Sequence, residues 1–162
     1  MFEEQMADDR EKAATVYEKI INLIPHEQFT FTKVWILYSK FLIRGQDLTK
    51  ARRVLGMSLG KCPKVKIFKH YAELEFQLGE ADRCRTIYEK FVSTFSMHSA
   101  AWVEYAEFEA SLEEPERARA IYEIAINTEQ MDQPEAVWKS YIDFETKNGD
   151  VERARALYET LL

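Results

Sequence analysis

The sequence predicts an all-α fold, a right-handed superhelical solenoid of antiparallel helix pairs, from three observations. First, the segment "ERARAIYE" at 116–123 returns as "ERARALYE" at 152–159, and a related "DRCRTIYE" occupies 82–89. Second, an aromatic motif precedes each copy at a nearly constant distance. Third, the chain holds only 5 Gly and 4 Pro among 162 residues, so few positions interrupt helices. A recurrence of this period is typical of a repeat array.

The first element is a helix over 3–23, which we interpret as the second half of a repeat. Its segment "AATVYEKII" at 13–21 matches "CRTIYEKFV" at 84–92 in spacing. Pro25 ends this helix, and a loop follows. The matching first helix would precede Met1, so we expect the chain to be an internal piece of a longer array.

Four two-helix repeats follow, and with the partial one they make a single array over 1–162. Their predicted spans are 33–60, 64–93, 99–128 and 134–162. Aromatic positions set them in register. The predicted core of the first helices is Trp35, Tyr38, Phe41, Phe68, Tyr71, Trp102, Tyr105, Phe108, Trp138, Tyr141 and Phe144. The second helices contribute Tyr88, Tyr122 and Tyr158 to this core.

The spacing of these columns explains why the helices pair. At 100° per residue, offsets of three and six keep the first-helix aromatics on one face. The second helix presents a small residue to that face, which lets the helices approach closely. These small residues are Ala51, Cys84, Ala118 and Ala154. No repeat can bury its apolar face alone, so stability requires stacking.

Three carboxylates fall on the inward face, where an unpaired charge would be costly. They are Glu75, Glu109 and Glu145, and each repeat also carries an arginine in its second helix, namely Arg85, Arg119 and Arg155. We expect each Glu to pair with the Arg of its own repeat. The repeat at 33–60 departs from this pattern, since Leu42 replaces the Glu while Arg52 is present.

The motif W-x-x-Y-x-x-F-E followed by R-A-R-x-I/L-Y-E resembles the half-a-TPR (HAT) repeat, and not an ordinary TPR. Three longer segments, "PHEQFTFTKVWILYSKF" at 25–41, "ARRVLGMSLGKCPKVKIFKHYAELE" at 51–75 and "PEAVWKSYIDFE" at 134–145, resemble the crooked-neck family of pre-mRNA splicing factors. Turn sequences such as "GKCPK" carry this second resemblance. Stacking does not require those turn residues, so they discriminate between HAT proteins.

The resemblance implies a nuclear, non-enzymatic scaffold of the spliceosome that works with proteins of the nineteen complex. It leaves open whether snRNA or pre-mRNA lies close to this chain. The alternative within the HAT family is a scaffold for mRNA 3′-end processing or ribosome biogenesis. Since the end helices would each leave an apolar face uncovered, we also expect the fragment to self-associate.

Composition offers little support for catalysis or for a membrane segment. His26, His70 and His98 lack metal-ligand spacing, and Cys62 and Cys84 form no paired motif. We therefore predict no metal, no cofactor and no catalytic residue. No apolar run is long enough to cross a membrane.

One charge feature departs from the net charge of -6. Between residues 48 and 72 there is no acid but seven basic side chains. From these we select Lys61, Lys64, Lys66 and Lys69 as a candidate partner-binding patch, suited to an acidic protein surface or an RNA backbone. The alternative is a solvated turn between helices, with Arg52 used structurally.

Overall fold

A computed structural model describes residues 2–26 and 32–162, with side chains from residue 5. Throughout this described part, every regular element is an α-helix, which confirms the all-α prediction. The helices are α1 (Phe2–Leu23), α2 (Thr32–Arg44), α3 (Leu48–Lys61), α4 (Val65–Gln77), α5 (Ala81–Thr94), α6 (Ser99–Ser111), α7 (Pro115–Ile126), α8 (Pro134–Lys147) and α9 (Val151–Leu161). They form two compact units, Met1–Glu80 and Ala81–Leu162. The predicted repeat boundaries stay predictions.

Helix ends follow the local chemistry of the turns. The side chain of Asp47 accepts the Lys50 backbone N–H at 3.1 Å and so caps α3, and Asp150 caps α9 in the same way. Gly79 follows α4 at φ 74°, a left-handed conformation that glycine adopts without strain. Such stops keep the connections short, so that successive helices fold back on one another.

In the first unit, α2 is the central helix and packs against α1, α3 and α4. Trp35 and Tyr38 on α2 are almost completely buried, as is Phe68 on α4. Ala51 on α3 is also fully buried, at the position where the sequence predicts a small residue. Full burial of so small a side chain requires α3 to lie close to the neighbouring helices. A larger side chain at this position would force the helices apart.

In the second unit, α6 packs against α5, α7 and α8, and α8 packs against α9. Cys84 and Ala118 fill the small-residue column and are fully buried. Trp102 is buried and its indole Nε1 donates to the Ser96 carbonyl at 2.8 Å. The corresponding Trp138 is only half-buried. The same column therefore contributes unequally to the core.

Most of the predicted core positions are buried or half-buried, but Tyr158 is not. Its side chain is 54% exposed, so its assignment to the core is wrong for this chain. Among the described residues, α9 packs against α8 alone, on another face. Tyr122, in the same column, is 1% exposed because α8 packs over it.

Tyrosine pairs join the second helix of one repeat to the first helix of the next. Tyr88 stacks on Tyr105 with ring centroids 5.5 Å apart, and Tyr122 stacks on Tyr141 at 5.0 Å. Burial raises the pKa of Tyr105 and of Tyr141 to about 12. Tyr17 of α1 makes the equivalent stack on Tyr38 at 5.1 Å. These aromatic contacts fix consecutive repeats relative to each other within each unit.

The buried carboxylates pair across repeats, so the predicted pairing within each repeat is wrong. Both oxygens of Glu109 accept from the Nε and Nη2 groups of Arg85, at 2.8 and 3.1 Å. Glu145 accepts from Arg119 at 2.7 and 3.0 Å. In the first unit, Glu75 accepts from Arg52 at 2.7 and 2.9 Å. In each pair the arginine belongs to the preceding repeat.

Position along the helix explains this correction. Helical periodicity places each arginine on an inward face of its helix, but α3 packs against both α2 and α4, and α7 packs against both α6 and α8. The guanidinium lies on the side that faces the following first helix, as the distances show. Each carboxylate is 0% exposed. Its hydrogen bonds stabilise the charged guanidinium, so Glu109 raises the pKa of Arg85 and Glu145 raises the pKa of Arg119.

Two departures from the pattern now have a common explanation. Leu42 occupies the Glu column of α2, and Ala14 of α1 occupies the Arg column that precedes it. Both residues line one cleft, so this interface lacks the carboxylate and the guanidinium together.

Arg155, predicted to pair with Glu145, is exposed on α9 instead. Arg52, which lacked a partner in its own repeat, pairs with Glu75 of the next.

Candidate partner-binding surface

The structure divides six of the seven basic residues between 48 and 72 into two groups, and the seventh, Arg53, is exposed on α3. Arg52 binds the buried Glu75, as described above. The Lys50 Nζ lies 2.9 Å from Glu18 Oε1 and so links α3 to α1. This contact lowers the pKa of Glu18 and raises that of Lys50. These two cations serve the packing of the first unit.

The four lysines selected from the sequence lie around the turn between α3 and α4. Lys61 ends α3, Lys64 immediately precedes α4, and Lys66 and Lys69 follow within its first two turns. All four side chains are exposed. We call this set the α3–α4 lysine patch.

Buried neighbours hold the turn in place. The side chain of Cys62 is 4% exposed, and its backbone N–H donates to the Ser58 carbonyl at 2.8 Å. The Lys64 carbonyl accepts from the backbone N–H groups of Ile67 and Phe68, which are both fully buried. The lysines therefore project from a backbone that is anchored on each side.

The positions of two lysines are electrostatically unfavourable for the helix. Lys64 and Lys66 lie at the positive N-terminal end of α4, where a cation is disfavoured by about 0.3–1 kcal/mol. The first turn of α4 contains no acidic residue. Among the described side chains, no carboxylate lies within ion-pair distance of Lys61, Lys64 or Lys66. Helix stability does not explain these lysines.

The histidines and cysteines have structural surroundings. His26 Nε2 lies 2.8 Å from the Ile21 carbonyl, and His98 Nδ1 lies 3.0 Å from Asp132. Both cysteines are buried thiols. Across residues 2–26 and 32–162, no three His, Cys, Asp or Glu side chains come together as a metal site. In the same ranges, no helix has the length and apolar character to cross a membrane.

The Asp132 carboxylate joins the α7–α8 loop to the start of α6. Its Oδ1 accepts the backbone N–H of Ser99 at 2.9 Å, at the start of α6. Hydrogen bonds from Ser99 lower the pKa of Asp132 to about 2. The carboxylate thus caps α6 from the α7–α8 loop, which is a structural task.

A cleft between α2 and α4 was not predicted from the sequence. It has a volume of about 440 Å³ and is lined by Lys40, Ile43, Arg44, His70, Glu73, Leu74 and Gln77. One sequence signal could have indicated it, because α2 carries three cations and no acid.

With the fold and this surface described, the comparisons with known proteins assign a family. The family model of the PRP39 N-terminal HAT repeat matches residues 44–162. The chain therefore belongs to the HAT repeat family. Its paired helices, tyrosine stacks and Arg–Glu pairs are the form that this repeat takes here.

The relatives confirm the predicted resemblance to the crooked-neck family. "Crooked neck-like protein 1" of Homo sapiens is 52% identical over 137 residues, which are 85% of this chain and 16% of that protein. "Protein crooked neck" of Drosophila melanogaster is 46% identical over 83% of this chain and 19% of its own length. "Pre-mRNA-splicing factor clf1" of Aspergillus fumigatus is 48% identical over 85% of this chain and 20% of its own length. The chain spans at most about a fifth of these relatives.

Among solved structures, "MamA MSR-1 C2" aligns over 96% of each chain with a TM-score of 0.46 and 13% identity.

Proposed function

We propose that this chain is part of a non-catalytic scaffold of the spliceosome that acts in pre-mRNA splicing in the nucleus. Its partners are spliceosomal proteins, specifically those of the nineteen complex. The observation that carries the proposal is the identity of 46–52% to crooked-neck and clf1 proteins over more than four-fifths of the chain.

The mechanism is geometric. Helices that stack through tyrosine pairs and buried Arg–Glu pairs keep the surface side chains at fixed separations within each unit. Partner helices or extended segments bind along such surfaces without a chemical step. The perturbed ionisable groups of the described chain support a non-catalytic role, since Asp132 and the buried tyrosines each serve helix packing.

The α3–α4 lysine patch is the proposed contact site. Four exposed cations on an anchored turn suit an acidic surface of a partner protein, and electrostatic attraction also accelerates encounter. Lys64 and Lys66 oppose the dipole of α4, and a partner that binds them offsets this cost.

An affinity pull-down from nuclear extract tests both parts. The bait is the folded chain, compared with a variant carrying Lys61→Glu, Lys64→Glu, Lys66→Glu and Lys69→Glu. A matched control reverses four other exposed lysines, Lys19, Lys90, Lys139 and Lys147. We expect the wild type and the control to recover splicing proteins, and the patch variant to lose them.

Two results would count against the proposal. Recovery of 3′-end processing or ribosome-assembly factors would replace the splicing role with the alternative HAT function. Equal loss in the patch variant and the control would show that total charge matters and that the patch is not a contact site.

A further inference from the structure

The cleft between α2 and α4 combines cations with an apolar floor. Lys33, Leu37, Lys40 and Arg44 follow one another along one exposed face of α2, as their spacing of three or four residues requires. Ile43 and Leu74 line the floor, and His70 and Glu73 line the opposite side. All of these residues belong to the first unit.

Charge in the cleft is strongly unbalanced. Lys40 and Arg44 contribute two positive charges on α2, while Glu73 is the single acid that lines the cleft. Lys33 lies two helical turns before Lys40 on the same face of α2, which extends the positive surface along the groove.

The second unit shows that repeat packing does not require this charge. In the equivalent positions of α6, Ala100 replaces the Lys33 and Lys66 column, Glu107 replaces Lys40, and Ser111 replaces Arg44. Helix α6 nevertheless packs against α8 in the same way that α2 packs against α4. The cations of the α2–α4 cleft are therefore a property of that surface alone.

His70 adds a group that can gain charge. Ser39 is fully buried, and its hydroxyl donates to the Ile36 carbonyl at 2.8 Å. The same oxygen lies 3.0 Å from His70 Nε2, and a hydroxyl that donates to Ile36 accepts the ring N–H of the tautomer protonated at Nε2. Nδ1 is then the nitrogen that accepts a further proton. Burial and the charge of Lys40 lower the pKa of His70.

We propose that the α2–α4 cleft binds an amphipathic acidic peptide segment of a partner protein. An apolar side chain of the segment packs on Ile43 and Leu74, and its carboxylates pair with Lys40 and Arg44. A nucleic acid backbone fits the cleft less well than this peptide. Its phosphates would be repelled by Glu73 and would lose water against the apolar floor. The proposal names a partner class for the scaffold and rests on that function, but its site is separate from the α3–α4 lysine patch.

Protonation of His70 accompanies binding. A carboxylate in the cleft offsets the repulsion from Lys40, so the pKa of His70 rises in the complex while Glu73 keeps its favourable contribution. Affinity for the acidic segment should therefore increase as pH falls from 7.5 to 6.0.

The experiment is selection of a random 16-residue phage-displayed peptide library on the purified chain, followed by fluorescence polarisation with the enriched peptides. We expect peptides that combine Asp or Glu with Leu, Ile or Phe. Lys40→Glu with Arg44→Glu should weaken binding about tenfold. The matched control, Lys139→Glu with Lys147→Glu in α8, should leave affinity unchanged; Lys147 occupies the Arg44 column.

Further readouts separate the outcomes. His70→Gln should keep binding at pH 7.5 but remove the increase at pH 6.0. Circular dichroism of every variant checks that helix content is intact. Enrichment of neutral or basic peptides, or acidic peptides that bind Lys40→Glu with Arg44→Glu equally well, would overturn the proposal. Binding of 12-nucleotide poly-uridine is measured in the same assay. If the wild type binds poly-uridine, Lys40→Glu with Arg44→Glu abolishes that binding, and no acidic peptide is enriched, the proposal is also overturned. None of these results depends on the pull-down of splicing proteins.

Discussion

Removing Arg119 alone should destabilise the chain far more than removing it together with its partner. Glu145 is 0% exposed and receives two guanidinium hydrogen bonds, at 2.7 and 3.0 Å. After Arg119→Met, the next cation is Arg153, with its Nη1 3.9 Å from Glu145 Oε1. A buried carboxylate left without its partner costs about 3–5 kcal/mol of unfolding free energy.

The partner substitution has a smaller expected cost. After Glu145→Leu, the Arg119 side chain keeps its contact with Glu116 and is 14% exposed. Water and Glu116 together satisfy part of the guanidinium, so we expect a loss of about 1–3 kcal/mol. When both residues are replaced, no buried charge is left, and the cost should be about 0–2 kcal/mol. The coupling energy should therefore be at least about 2 kcal/mol.

Urea unfolding followed by circular dichroism measures these energies, provided that the slope with urea stays constant among the variants. Arg155→Met is the matched control, because Arg155 occupies the same column but is exposed. It should cost less than about 0.5 kcal/mol. If Arg119→Met costs no more than Arg155→Met, or if the two substitutions add within about 0.5 kcal/mol, the pair does not join the repeats as argued.

The remaining predictions concern the core, the α6 cap and the tyrosine stacks. Trp102→Ala should lower the unfolding free energy by about 3–5 kcal/mol, and Trp138→Ala should lower it clearly less. The reason is that Trp102 is buried and hydrogen-bonded while Trp138 is half-buried. Equal shifts of the urea midpoint in the two variants would contradict this. Asp132 has a depressed folded pKa of about 2, so its contribution is present above an unfolded pKa of about 3.9 and is lost as pH falls from 4 to 2. Since its side chain is 45% exposed, screening reduces that contribution to about 1 kcal/mol. Asp132→Asn should therefore lower the unfolding free energy by this amount at pH 7 but change it little at pH 2. An equal effect of the substitution at both pH values would exclude the cap. Tyr122→Leu should destabilise the second unit by about 1–3 kcal/mol, whereas Tyr158→Leu should have almost no effect. The reason is that Tyr122 stacks on Tyr141, while Tyr158 is 54% exposed. Similar losses of unfolding free energy in both variants would mean that the stack is not the cause.

The repeat pattern was readable from the sequence because helical periodicity assigns each residue to a face. It placed Glu109 and Glu145 correctly in the interior, and both are fully buried. It could not say which neighbour each face meets, since α3 contacts both α2 and α4, and α7 contacts both α6 and α8. The Arg–Glu partners were therefore assigned to the wrong repeat.

Exposure is harder to predict because it depends on neighbours that periodicity does not specify. Tyr158 and Tyr122 occupy the same column of nearly identical segments, yet Tyr158 is 54% exposed and Tyr122 is 1% exposed. The α2–α4 cleft was missed for a related reason. Lys40 and His70 are 30 positions apart in the sequence, and only the packing of two first helices places both beside one cavity.

Cross-linking mass spectrometry in nuclear extract tests the central claim most directly, that this chain is a splicing scaffold whose α3–α4 lysine patch contacts its partners. A lysine-reactive cross-linker would be applied to the wild-type chain in extract. The account predicts cross-links to spliceosomal proteins from Lys61, Lys64, Lys66 and Lys69, in excess over those from Lys90, Lys139 and Lys147. Cross-links spread evenly over all lysines, or directed to proteins outside the spliceosome, would contradict it.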